Sequence, residues 1–296
     1  MCDQDHLARM GPVSKRRGKA AGVSRREFAA LGALATAAAL APAGGAVSQA
    51  RARDESTVSF DVPGGRMDGF FVHPAQGRSP AIIVWPDIAG LRDAFMAMSR
   101  RLAAQGYAVL VLNPYYADEE APQFDDFDDF RSSGGMEKVT PWREKLTAAT
   151  VMETAKAVVA YLDADEAVDP ARGIGVQGYC MGGPLAVWTA AAAPERVKAV
   201  ASFHGGRLVG EEDTSPVKMI GQTQASFLFA IARDDDRTAP GDKDALKAAA
   251  EATGRPAQIR VFRADHGWTV ADSPAYNYDE DDASWELLLD LYEAAL

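Results

Sequence analysis

From residue 57 onward the apolar positions fall into short runs that alternate with helical spacing. Residues 57–62 and 67–73 read as two strands joined by a turn at Pro63-Gly64-Gly65. Residues 81–85 and 107–112 are apolar throughout, as expected of strands buried on both faces. Helical spacing covers 94–105, closed by Gly106, and then 146–163. A strand at 173–177 leads into a helix running to Ala193, and further strands are predicted at 197–203, 226–232 and 258–262. Helices are predicted at 242–252 and 283–295. Strands alternating with helices imply βαβ units, hence an α/β fold with a mainly parallel sheet of about eight strands. The two leading strands make an antiparallel edge. No repeat and no Pro/Gly/Ser linker interrupts residues 57–296, so a single domain over 51–296 is expected.

Two segments depart from this pattern. Residues 117–143 carry Asp118, Glu119, Glu120, Asp125, Asp126, Asp128 and Asp129 interleaved with Phe124, Phe127 and Phe130. Residues 272–282 place Asp272, Asp279, Glu280, Asp281 and Asp282 around Tyr276 and Tyr278. Solvated loops are the plain interpretation; the sharper one is a lid over a cleft with the aromatics turned inward.

The first fifty residues belong to neither regime. Lys15, Arg16, Arg17 and Lys19 precede Ser24-Arg25-Arg26-Glu27-Phe28, an Ala/Leu-rich run and the breakers Pro42, Gly44 and Gly45. Small residues at 44 and 46 or at 48 and 50 offer cleavage positions, so residues 1–50 read as an export signal with a disordered start. The arginine pair before the apolar run resembles a bacterial twin-arginine signal, which implies an exported, periplasmic or extracellular protein. The run is too short to span a bilayer, which takes roughly 20 apolar residues, so no membrane attachment is expected after cleavage.

The chain of 296 residues has a net charge of −11, with the basic residues concentrated at its start. That balance argues against nucleic acid as a partner, because phosphate binding needs a basic face. The two cysteines, Cys2 and Cys180, cannot build a disulfide framework or a structural zinc site. No metal and no cofactor are expected, and a monomer acting on a small molecule is the simplest state.

Cys180 carries the chemistry. Gly178-Tyr179-Cys180-Met181-Gly182-Gly183 lies between a predicted strand and a predicted helix, the setting of a nucleophile elbow with cysteine in place of serine. Glycines there remove side chains that would collide in a sharp turn. The Met181 N–H can supply half of an oxyanion hole, and the helix start favours a thiolate. A buried structural cysteine in a tight turn is the competing interpretation. In elbow folds the acid and then the histidine follow the nucleophile along the chain. Only His266 fits the histidine, since His204 precedes the acid. Arg233-Asp234-Asp235-Asp236-Arg237 offers the acid: Asp235 first, Asp236 in reserve. The acid would fix the imidazole tautomer while His266 manages the proton.

With these residues, the chain over 57–296 resembles the dienelactone hydrolase family. The likeness rests on Trp85-Pro86-Asp87-Ile88-Ala89-Gly90-Leu91-Arg92, Gln105-Gly106-Tyr107-Ala108-Val109, Asn113-Pro114-Tyr115-Tyr116, the cysteine elbow, Ala232-Arg233-Asp234-Asp235 and His266-Gly267-Trp268. The resemblance implies an α/β-hydrolase fold and a Cys180–Asp235–His266 triad without cofactor. It further implies an oxyanion hole from the amides of Ile88 and Met181, an acidic residue at Asp87 near the thiol, and hydrolysis of enol-lactones. Asp87, Tyr116, His204 and Trp268 are candidates for the substrate pocket. His204 has a purely structural role as its alternative, and Asp87 has turn-capping as its own.

Three departures from the family pattern shape the expected substrate. Asp87 is one methylene shorter than the family's glutamate. Asp118 and Val270 stand where the family has carboxylate-binding arginines. An export signal precedes the domain. A neutral or weakly polar ester or lactone is therefore expected. An acyltransferase or thioesterase on the same triad, and a non-catalytic binding relative, are the competing functions.

Overall fold

The computed structural model describes residues 53–296; the export-signal reading of residues 1–50 lies outside the described residues. Eight strands build one sheet: β1 (Arg53–Val62), β2 (Gly65–Pro74), β3 (Ala81–Trp85), β4 (Ala108–Leu112), β5 (Ile174–Tyr179), β6 (Val197–Phe203), β7 (Ser226–Ala232) and β8 (Ala257–Phe262). Their order is β1-β2-β4-β3-β5-β6-β7-β8. β1 pairs antiparallel with β2, and β2 antiparallel with β4, while every later pairing is parallel. This is the expected α/β-hydrolase sheet with its antiparallel leading edge.

The apolar runs explain the interior. In β3, Ile83 and Trp85 face one side of the sheet, while Ile82 and Val84 face the other. Ile82, Ile83 and Val84 are each 0% exposed, and burying such a side chain contributes roughly 1.5–3 kcal/mol. Helices α4 (Ala148–Ala164), α5 (Gly182–Ala192) and α8 (Asp242–Thr253) cover the first face. Helices α1 (Asp93–Gln105) and α9 (Tyr278–Ala295) cover the second. Gly106, where the helix was expected to end, closes α1 in a left-handed conformation with φ 105°.

Three short acidic stretches are helix starts rather than loops. In the first, Asp126 caps α2 (Phe127–Ser132) by accepting from the Asp129 N–H, and α3 (Gly135–Arg143) follows. Asp234, Asp235 and Asp236 fill the first turn of α7 (Arg233–Thr238). Asn277 caps α9, whose first turn holds Asp279, Glu280 and Asp281. Negative side chains oppose the partial positive charge of a helix N-terminus, which gives each acidic run a local role. A further short helix, α6 (Pro216–Met219), was not expected from the sequence.

The two segments singled out as lids behave differently. Phe124, Phe127 and Phe130 are buried and pack with Ile88, Ala89, Tyr115, Cys180 and Met181, so this segment does turn its aromatics inward. The second does not, because Tyr276 and Tyr278 are exposed at 38% and 68%. No helix among the described residues is long and apolar enough to cross a membrane.

Candidate active site

Three parallel strands deliver three side chains to one end of the sheet. β5 ends at Tyr179, Cys180 follows with φ 53°, and α5 begins two residues later. A left-handed backbone is uncommon at a residue with a side chain and costs about 1–3 kcal/mol, so the surroundings must hold it. They do so through the Cys180 N–H, which donates to the Phe203 carbonyl at 3.0 Å, and the Cys180 carbonyl, which accepts from Gly183 at 3.1 Å. The flanking glycines are sterically required. A Cβ on Gly178 would stand 1.9 Å from the Gly182 carbonyl oxygen, and one on Gly182 would stand 2.3 Å from that of Trp85.

His266 follows β8 and Asp235 follows β7. The imidazole Nδ1 lies 2.8 Å from Asp235 Oδ2, and the ring is also hydrogen-bonded to the Cys180 side chain. With Nδ1 held by the carboxylate, Nε2 is left for the sulfur. Burial opposes a charge on His266. The Cys180 sulfur facing it and its bonds to Asp235 and Cys180 outweigh burial and push its pKa up to about 10. The environment therefore favours the protonated imidazole.

The loop is fixed from its backbone as well. The His266 N–H donates to Asp234 Oδ1 at 2.9 Å, and Arg233 forks onto Asp265 at 2.7 and 2.9 Å. The Asp234–Asp236 run therefore divides its labour: Asp234 holds the loop, Asp235 takes the imidazole, and Asp236 pairs with Lys243 at 2.5 Å. The reserve acid, Asp236, is engaged elsewhere.

Ile88 and Met181 lie with Cys180 in one apolar cluster. Neither amide is taken up by a backbone hydrogen bond to another described residue. Tyr115 ties the two together, because its hydroxyl donates to the Ile88 carbonyl at 2.8 Å and lies 3.5 Å from Met181 Sδ. In the sequence Tyr115 stood only within the motif Asn113-Pro114-Tyr115-Tyr116, with no site role assigned to it.

The four pocket candidates sit differently from expectation. Cys180 and Met181 line a cavity of about 430 Å³ with Leu146, Leu185 and Trp188, and Tyr116, His204, Trp268 and Asp87 are absent from its wall. Tyr116 instead bonds Pro63 and Thr154 and lines a separate cavity of about 580 Å³ across Leu146, which holds none of Cys180, His266 and Asp235. His204 packs its ring 4.7 Å from that of His266 and 5.2 Å from that of Trp268, with Nε2 3.3 Å from Thr269 Oγ1. The His204 ring thus packs between those of His266 and Trp268. Trp268 is fully buried and stacked on Phe262. Asp87 is buried against Arg92, which forks onto it at 2.8 and 3.0 Å. Burial raises its pKa, and Arg92 counters that shift.

The cavity also holds two cations that sequence reasoning missed, Arg143 and Arg207. Arg207 has φ 59°, so that Cys180, His204 and Arg207 are the non-glycine residues with positive φ among those described. Neither arginine occupies a position where the family pattern predicts one. Asp118, at one such position, pairs with Lys145 beside the other cavity, and Val270, at the second, is fully buried.

Comparison with known proteins agrees with this architecture. Residues 67–296 match the dienelactone hydrolase family. The chain belongs to that family. Two relatives named "Putative carboxymethylenebutenolidase" are similar to it. The one from Synechocystis is 24% identical, covering 82% of this chain and 98% of its own. The one from Methylorubrum extorquens is 28% identical, covering 79% of each. In fold, the chain resembles a dienelactone hydrolase-like promiscuous phosphotriesterase from metagenomic libraries, with TM-score 0.67 and 22% identity over 82% of this chain and 99% of that one. It also resembles the dienelactone hydrolase of Anabaena variabilis, with TM-score 0.59 and 17% identity over 82% and 99%.

Proposed function

We propose that this hydrolase cleaves small esters or lactones through an acyl-thioester on Cys180, with His266 carrying the proton and Asp235 orienting it. The observation that carries the proposal is the chain of hydrogen bonds from Cys180 to His266 to Asp235, set at the ends of the parallel strands β5, β8 and β7. The thiolate attacks the carbonyl carbon, and the carbonyl electrons move onto oxygen, toward the amides of Ile88 and Met181. Collapse of that intermediate breaks the C–O bond and leaves an acyl-thioester; the departing alkoxide takes the proton of the imidazolium. Neutral His266 then removes a proton from water as it attacks the thioester, and loss of acid restores the thiolate–imidazolium pair. In a lactone the departing oxygen stays tethered, and one water is consumed in either case.

The curated relatives' name supports a lactone as substrate. Arg143 and Arg207 on the cavity wall favour one carrying an anionic substituent, against the neutral substrate that the family positions alone suggest. We further propose export of the folded enzyme through the arginine pair Arg25-Arg26. Replacing both with lysine should leave the protein in the cytoplasm, and unchanged export would refute that route.

The test of the function is hydrolysis of p-nitrophenyl acetate before and after exhaustive alkylation with iodoacetamide. Cys180 is the lone thiol after residue 2, so alkylation should abolish turnover. Surviving turnover would refute thiol catalysis.

A further inference from the structure

One buried cation has no part in the proton or acyl transfers, yet it touches each segment that frames them. Arg92, at the entry to α1, is 0% exposed and spends all five of its N–H donors. Nη1 donates to Asp87 Oδ1 at 2.8 Å and to the Gly90 carbonyl at 3.1 Å. Nη2 donates to Asp87 Oδ2 at 3.0 Å and to Asp272 Oδ1 at 2.9 Å. Nε donates to Asp272 Oδ2 at 2.7 Å. The guanidinium also lies over the rings of Phe95 and Phe127, 5.1 and 5.5 Å from their centroids.

Each partner belongs to a different working part. Asp87 and Gly90 bracket Ile88. The Asp87 carboxylate accepts the Ala89 N–H at 2.9 Å, the Asp87 carbonyl accepts that of Gly90 at 3.0 Å, and Gly90 takes φ 78°. The peptide of Ile88 thus lies inside a turn whose side-chain closure is held by Arg92. Asp272 lies on the loop that carries His266, six residues further along. Its Oδ2 also accepts the Phe127 N–H at 3.1 Å, which brings in the aromatic segment packed over Cys180.

A single planar cation between two carboxylates fixes distance and direction at once, which a flexible ammonium cannot do. Both oxygens of Asp87 are engaged by Arg92, and one also by Ala89, so the carboxylate is committed to the turn rather than to proton transfer with the thiol.

We propose that Arg92 is a positioning residue for the hydrolysis: through Asp87 and Asp272 it holds the Ile88 amide in register with Cys180 and His266, so that the oxyanion forms against a donor already in place. This rests on the proposed acyl-thioester reaction. Misplacing an oxyanion donor slows the acyl transfer and leaves displacement at iodoacetamide untouched, because that reaction needs the thiolate and builds no oxyanion.

The two reactions therefore separate the proposal from a purely structural role. Arg92→Lys keeps the charge and loses the fork; Asp272→Ala cuts the link to the His266 loop from a partly exposed side and serves if the first variant does not fold. For each variant with a native circular dichroism spectrum, kcat on p-nitrophenyl acetate should fall by about 10- to 10²-fold, below the full loss of an oxyanion donor. KM and the rate of Cys180 alkylation should stay within about threefold, since neither draws on that donor. Unchanged kcat, or alkylation falling in step with kcat, would overturn the role assigned to Arg92. Hydrolysis that persists in Cys180→Ala would instead overturn the underlying reaction, and the control is run beside the variants for that reason.

Discussion

Asp235→Asn is the perturbation that reads the proposed proton relay most finely, because it removes a charge and preserves shape. The carboxylate lies 2.8 Å from His266 Nδ1, with the imidazole 2% and the Asp235 side chain 18% exposed. A hydrogen bond to a charged group contributes about 1.5–3 kcal/mol. At about 1.4 kcal/mol per tenfold, its loss lowers kcat/KM by roughly 10- to 150-fold. The same change lowers the His266 pKa from about 10, since Asp235 is one of the groups holding it there, after the opposing burial and the facing Cys180. His266 is raised relative to its free value of about 6.5, so its contribution to stability is complete below that pH. That contribution is lost as pH climbs through about 10; in the variant the loss begins at lower pH. The assay is the second-order rate of Cys180 alkylation by iodoacetamide against pH, with kcat/KM on p-nitrophenyl acetate beside it. Wild type should alkylate at a nearly constant rate across the neutral range. The variant should show a slower neutral rate that rises with pH as the thiol ionises without its partner. Superimposable profiles, or kcat/KM within twofold of wild type, would refute the assignment of Asp235.

Other substitutions address the remaining parts of the site. Asp236→Asn should keep kcat/KM within about twofold, because that carboxylate pairs with Lys243 and a partly exposed pair contributes little; steady-state kinetics check this, and a large loss would favour Asp236 as the acid. Gly182→Ala forces a Cβ to within 2.3 Å of the Trp85 carbonyl oxygen and should cost at least about 1–3 kcal/mol by overpacking. A lowered urea midpoint reports it, and unchanged stability would contradict the packing described for the elbow. Arg207→Gln should raise KM about tenfold for a carboxylate-bearing aryl ester, from the loss of a charge-assisted bond, and leave the neutral ester unaffected. Equal effects on both esters would remove Arg207 from substrate recognition.

Much of the fold was legible because its central strands are buried on both faces and so read as unbroken apolar runs, as at 81–85 and 108–112. The glycine-flanked Cys180, the late His266 and the Asp234–Asp236 run were legible as candidates that the fold brings together, because such residue types have few other reasons to stand at strand ends. What was missed depended on contacts distant in sequence. Arg92 is an ordinary helix-entry arginine until Asp272, 180 positions later, closes on it. Arg143 and Arg207 meet only on the wall of a folded cavity. Tyr116 and Trp268 stood in motifs that resemble the family's, yet one turned to a different cavity and the other to the core. The acidic runs read as loops in the sequence because charge alone does not separate a solvated loop from a helix start. The caps at Asp126 and Asn277 make that distinction.

The most direct measurement is intact mass spectrometry of the enzyme quenched in acid within one turnover of p-nitrophenyl acetate, followed by peptide mapping. An acetyl group on Cys180 in wild type, accumulating to a higher level in His266→Ala mixed with the same ester at matched extent of thiol reaction, is the predicted result. Turnover in wild type with no acyl group ever found on Cys180, or with the group found on another residue, would contradict nucleophilic catalysis by this thiol.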